Sequence, residues 1–186
     1  MEQNHRVMKS ASLPRGKRHR QRGASLLEGI AYLGIAAMVV MGAIALLRTA
    51  FGSANANTTL EQLSSIQTGA RKLYMTTQGN YGAVALDGPV IAAGAVPQGM
   101  SVNTANSTIT NAWGGAVTLM GGNTNFTISY ANVPQDVCVD TLTGTTTSFT
   151  QVAVNGAPAV QTPVSPVDAQ AACSNAAGNT IVWTSN

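Results

Sequence analysis

The sequence predicts an α+β protein: one long N-terminal helix, membrane-spanning in its first half, packed on an antiparallel β-sheet head with a disulfide-closed C-terminal region. Three observations carry that reading. Gly29 to Leu47 (GIAYLGIAAMVVMGAIALL) is a run of 19 residues with no charge and no proline. Downstream, Leu60, Leu63, Ile66, Ala70, Leu73 and Tyr74 recur at steps of three or four, the spacing of one helical face. Further on, polar and apolar residues alternate on both sides of Gly121-Gly122-Asn123, the signature of a β-hairpin.

The composition agrees. With 186 residues, 45% hydrophobic but only 9% charged and 5% aromatic, the chain fits a membrane segment joined to one small, uncharged domain. Its net charge of +3 first suggests an acidic partner such as nucleic acid, until the charges are located. Residues 1–23 hold Arg6, Lys9, Arg15, Lys17, Arg18, Arg20 and Arg22 against Glu2 alone. The remainder holds Arg48, Arg71 and Lys72 against Glu28, Glu61, Asp87, Asp136, Asp140 and Asp168, and so is mildly acidic. No basic patch for phosphates is left in it, and no nucleic-acid partner is expected. The basic segment reads instead as a positive-inside topology signal, the competing reading being an RNA-binding tail.

Both histidines, His5 and His19, also lie in residues 1–23. The rest of the chain therefore offers no Ser/His or Cys/His pair and no His-based metal site, so neither catalysis nor a cofactor is expected. Asp136 and Asp140 are four apart and can share a helix face, most simply a solvated one.

As a helix the uncharged run spans roughly 28 Å, about one bilayer core, and Arg48 closes it. An alternative is a secretory signal peptide cut after Ala54-Asn55-Ala56, which matches the small-residue rule for such sites but gives an unusually long leader. An uncleaved signal anchor is a third. No proline occurs between Ala24 and Tyr81, and Gly79-Asn80 supplies a stop, which predicts one helix from about Ser25 to Gln78, roughly 80 Å long. Gly29, Gly34, Gly42, Gly52 and Gly69 weaken it; they mark either close helix packing or places where the helix can melt. Ser25 and Glu28 fit the S-x-x-E capping box, which puts an acid where the helix dipole favours it.

The segment from Asn80 to Asn111 lacks clear periodicity and reads as a connecting loop with one short strand at most. Strands are predicted at Gly114–Met120 and Thr124–Ala131, with Phe126, Ile128 and Tyr130 on the face that the amphipathic half of the helix covers. Further strands are predicted at Ser148–Val154 and Thr180–Thr184, the latter containing Trp183. Two short helices carry the cysteines: Pro134–Leu142 with Cys138, and Pro166–Cys173 with Ser165 as its cap. The two cysteines lie 35 positions apart in a segment expected outside the cytoplasm, so a Cys138–Cys173 disulfide is the economical reading. The Thr, Ser and Asn richness around TLTGTTTSFT is read as a soluble exterior rather than a carbohydrate-binding face.

One stretch ties these features to a family. RG followed by ASLLEGIAYLGIAAMVV resembles the class III signal of type IV pilins: a basic leader ending in glycine, a small residue after the cut, and glutamate fifth in the mature chain. Carried onto this sequence, the resemblance implies a leader at 1–23, cleavage between Gly23 and Ala24 by a prepilin peptidase, N-methylation of Ala24, and an assembly role for Glu28. It also implies a transmembrane and assembly half of the helix at 24–48 and a globular head at 49–186 in the type IV pilin fold. The long leader, and the run NAWGGAVTLMGGNTNFTISYANVPQDVCVD, resemble the type IVb branch of conjugative thin pili and enterobacterial bundle-forming or colonisation pili. The function so implied is that of a major pilus subunit. It is stored in the bacterial inner membrane with the pilus assembly machinery, then polymerised into an extracellular filament for adhesion, mating-cell contact or aggregation on recipient or host cells. A pseudopilin of a type II secretion machine is the alternative within this fold, and a secreted binding domain with a long signal peptide is the alternative outside it.

Overall fold

The computed structural model describes residues 25–186, and in it Leu26–Leu73 form a single 48-residue helix, α1. The helix ends five residues before the position predicted from the glycine stop. The carbonyl of Tyr74 accepts the N–H of Gly79 at 3.1 Å and the hydroxyl of Thr77 at 2.8 Å, so it is no longer free to continue an α-helix. A 3₁₀ turn at Met75–Thr77 follows, and Gln78 and Gly79, with φ of 57° and 74°, turn the chain away.

Residue contacts divide the chain at Ala43/Ile44 into two units. In the first, the described residues from Leu26 on are all helical and their large apolar side chains are exposed, Leu26 by 83% and Leu33 by 73%.

The second unit, Ile44–Asn186, holds the sheet. Its further elements are α2 (Asp87–Ala92), β1 (Ser101–Asn103), β2 (Thr108–Thr110), β3 (Ala116–Gly121), β4 (Phe126–Val133), α3 (Gln135–Gly144), β5 (Gln151–Val154), β6 (Val160–Gln161), α4 (Pro166–Ala172) and β7 (Asn179–Ser185). The strands form one antiparallel sheet in the order β1-β2-β3-β4-β7-β5-β6. The last strand therefore inserts between β4 and β5, pairing Ile128 with Trp183 on one side and Val152 with Trp183 on the other.

Alternation along the strands sends one set of side chains into a single core. Val117 and Leu119, Phe126, Ile128 and Tyr130, Val152 and Val154, and Ile181 and Trp183 are buried, and Leu63, Ile66 and Ala70 of α1 complete the same cluster. The predicted helix face is thus observed, shifted toward its N-terminal side: Leu60 is half-buried, Leu73 is exposed, and Thr59 and Gln67 are turned inward. Gln67 is buried without penalty because its amide donates to the Ser148 carbonyl at 2.9 Å and the Ser185 hydroxyl at 2.8 Å.

The region 80–111 is more ordered than its composition suggests. Leu86 donates its N–H to the Leu119 carbonyl at 2.9 Å while Asp87 Oδ1 accepts the Leu119 N–H at 2.7 Å, docking α2 on β3 with Leu86 and Val90 buried. The β1–β2 hairpin turns on the Asn103 side chain, whose oxygen accepts the N–H groups of Ala105 and Asn106. Strands of three residues carry too little alternation to be read locally; their partners define them.

The NAWGG run has a geometric cause. Asn111 Oδ1 accepts the N–H groups of Trp113 and Gly115 at 3.0 and 2.8 Å, while its amide donates to the Ala131 carbonyl at 2.7 Å. A Cβ on Gly115 would lie 1.9 Å from that same carbonyl oxygen, so only glycine fits. The hairpin forms as predicted, with β3 and β4 each ending one or two residues later than expected. In the C-terminal region β7 contains the whole predicted strand. β5 is shorter than predicted at its start, because the Ser148 carbonyl is taken by Gln67, and β6 was not foreseen.

Candidate functional site

Two regions carry the residues singled out by sequence. At the N-terminal end, Gly23 and Ala24 lie outside the described residues. Glu28 sits in the first turn of α1 with its side chain exposed. The Ser25 carbonyl accepts the Gly29 N–H at 3.0 Å, so the helix starts where the S-x-x-E pattern predicts. Among the described residues, however, no side-chain hydrogen bond joins Ser25 and Glu28, and the carboxylate makes no ion pair. The S-x-x-E pattern therefore marks the start of the helix without its side chains forming a capping box among the described residues.

By length and composition, α1 is the one described helix able to cross a membrane, and none of its apolar window is buried. The glycines separate into two groups. A Cβ on Gly29, Gly34 or Gly42 would meet nothing within 4 Å. On Gly52 it would come within 2.9 Å of Asp136 Oδ2, and on Gly69 within 2.5 Å of the Ala95 Cβ. Gly52 and Gly69 are therefore packing positions of the second unit, while the other three press on nothing among the described residues.

The second region is built by α3 and α4. Pro134 precedes α3 and its carbonyl accepts the Cys138 N–H at 2.8 Å. Ser165 caps α4 as predicted, its hydroxyl accepting the Asp168 N–H at 3.2 Å and donating to Asp168 Oδ2 at 2.7 Å. Cys138 and Cys173 are disulfide-bonded with their Cα atoms 5.9 Å apart, both fully buried, so the bridge joins α3 to the end of α4. Asp136 and Asp140 do share an exposed face of α3, and it is turned to α1: Ser53 Oγ donates to Asp140 Oδ2 at 3.3 Å, beside the contact of Asp136 with Gly52. A cleft of about 640 Å³ opens there, lined by both carboxylates, Arg48, Gln135 and Gln170 among others. Sequence spacing showed the shared face but not what it faces.

Electrostatics elsewhere are structural. Asp87 is half-buried, and desolvation raises its pKa against the opposing hydrogen bond from Leu119. Burial likewise pushes the Tyr130 phenol well above its ordinary value; its hydroxyl is without a hydrogen-bond partner while its ring meets Trp183 edge-on at 5.6 Å. Among the described residues no group of three His, Cys, Asp or Glu is arranged to hold a metal ion.

Comparison with known proteins follows the same outline. The family profile described as PilS N terminal matches residues 53–186. Among solved structures, the chain is similar to the crystal structure of TcpA, a type IV pilin from the El Tor biotype of Vibrio cholerae. The TM-score is 0.52 at 16% sequence identity, and the match covers 71% of this chain and 99% of that one. At that identity the likeness speaks for the fold alone. No curated protein sequence matches.

Proposed function

The chain belongs to the PilS family of type IV pilins, and from that premise we propose that it is the major subunit of a type IVb pilus, polymerised through α1 into an extracellular filament. The observation that carries this reading is the start of α1. A helix whose large apolar residues from Leu26 to Leu47 are exposed in the isolated chain needs either lipid or other copies of itself around it. In the inner membrane, lipid covers this run; in the filament, packed copies of it form the core and the heads form the shell. Assembly exchanges one apolar environment for the other, so its cost in lost burial is small.

On this reading the peptidase cuts between Gly23 and Ala24, the new amine of Ala24 is methylated, and Glu28 pairs with the amine of a neighbouring subunit. A carboxylate entering an apolar filament core is costly unless it is paired. The pairing therefore selects the one register in which both charges are compensated. Conjugative mating-cell contact or host attachment is the use to which such a filament is put, with the recipient or host surface as its outer partner.

Electron microscopy of filaments sheared from cells, with peptide identification and intact mass, tests the proposal. We expect filaments made of this chain beginning at Ala24 and carrying one added methyl group. A mature chain starting at Asn57, or surface protein with no filaments, would overturn it.

A further inference from the structure

We propose that the groove beside Lys72 is a docking surface for a second copy of this chain, and that it receives the face of α3 bearing Asp136 and Asp140. The inference rests on the filament reading above and goes further by assigning which surfaces of neighbouring heads meet.

After residue 23 the chain has a single lysine, Lys72, and beyond Arg48 only one other cation, Arg71. Arg71 is engaged: Nε donates to the Asn186 carbonyl at 2.7 Å and Nη2 to the Ser185 hydroxyl at 3.1 Å. Among the described residues Lys72 has no hydrogen bond or ion pair, and it is exposed. It lines an open groove of about 920 Å³ between one side of α1, including Ser65, Thr68 and Leu73, and the loop from Ala93 to Gln98. No carboxylate lines that groove.

The complement lies on α3. Asp136 and Asp140 are exposed and share one face of α3 by their four-residue spacing, with Asp140 accepting the Ser53 hydroxyl. Val167 of α4, which follows Pro166 in the chain, is 76% exposed, an apolar partner for Leu73 and Val96 across a contact. Arg48 shares the cleft and leaves it one net negative charge.

Gly52 and Lys72 stand on the same continuous helix, 20 residues apart, so the two surfaces of one chain are separated by about 30 Å and cannot meet each other. A neighbour displaced along the helix by about that length brings them together. The two surfaces differ, so the contact is heterologous: each added copy leaves one surface of each kind open, and the assembly does not close. Exposed ion pairs contribute little each, so this contact sets register and makes assembly salt-sensitive rather than supplying most of the cohesion.

Lys72 makes the test direct. Treating sheared filaments with a water-soluble carbodiimide joins amines to carboxylates in contact. We expect covalent dimers in which Lys72 of one copy is joined to Asp136 or Asp140 of another, and a Lys72→Arg chain that still forms filaments without this adduct. Lys72 joined instead to Glu61, Asp87 or Asp168, or no adduct at all, overturns the proposal. Charge reversal gives a second reading: Lys72→Glu alone, or Asp136→Lys with Asp140→Lys, lowers filament yield about tenfold or more, and the combination restores it. Single reversals without effect, or no recovery in the combination, count against it, with monomer level in the membrane and reductant-dependent mobility reporting folding. Filaments lacking the adduct sink the contact alone; no filaments from the unaltered chain sink the pilus reading as well.

Discussion

The start of α1 and the head solve the same problem, where to put apolar side chains, in opposite ways. Leu63 and Ile66 are fully buried against the sheet, whereas Leu33 and Ile35, on the same helix, are exposed by 73% and 62%. The glycines repeat the contrast: Gly52 and Gly69 press against other elements, while Gly29, Gly34 and Gly42 meet nothing. The head buries its apolar side chains within one chain, and the start of α1 leaves its own exposed. A substitution can therefore damage folding or assembly, and the two outcomes should separate by region.

The largest effect is expected at Glu28. Glu28→Ala should abolish filaments while leaving the amount of membrane-inserted monomer and its disulfide unchanged, as measured by filament shearing and membrane fractionation. Filaments of normal amount would remove Glu28 from assembly, and loss of the inserted monomer would reduce it to a helix-start role. Next come paired truncations that probe the contrast directly. Ile66→Ala should destabilise the head by about 2–5 kcal/mol, and Ile35→Ala should leave its unfolding midpoint unchanged in chemical denaturation of the detergent-solubilised chain. Equal effects would mean that the two regions fold as one unit.

Breaking the Cys138–Cys173 bridge by paired serine substitution should cost about 3–4 kcal/mol in the chain-entropy account, loosening α3 and α4 while sparing the insertion of α1. Thermal unfolding with and without reductant checks it. If Asp136 and Asp140 form the docking face, the same change should also lower filament yield at temperatures where the head remains folded.

The smallest effect concerns pH. Burial raises the Asp87 pKa above its ordinary value of 3.8, so the folded state holds this proton more tightly than the unfolded state. Its stabilising contribution is full below the unfolded pKa and is lost as pH rises through the higher folded value. Asp87→Asn keeps an oxygen acceptor for the Leu119 N–H and should flatten this part of the pH–stability curve. An unchanged slope across that window would show that Asp87 is not the group responsible.

How much was legible in the sequence follows from how local each feature is. The cap at Ser165 and the hairpin at Gly121–Asn123 involve residues a few positions apart and appear where predicted, whereas Pro134, predicted in the first turn of its helix, sits just before it. The ordered segment at 87–110 was missed because α2 is held by Leu119, some thirty residues away, and β1 and β2 are too short to show a period. Thr59 and Gln67 were missed on the buried face of α1 because their polarity disguises it. They fit because the Asn55 carbonyl accepts the Thr59 hydroxyl, and Ser148 and Ser185 accept the Gln67 amide.

By itself the sequence determined the long helix, its change from apolar to amphipathic, the hairpin, the two cysteine-bearing helices and the clustering of positive charge ahead of Gly23. All of these are written as periodicity, charge or capping among near neighbours. Only the tertiary structure decided that the last strand sits between β4 and β5, that Gly115 must lie against the Ala131 carbonyl, and that Asp136 and Asp140 face Gly52 and Ser53 while Lys72 stands open at a groove. Those placements depend on which distant residues come together, and their free energy arises from packing and hydrogen bonding that no local pattern encodes.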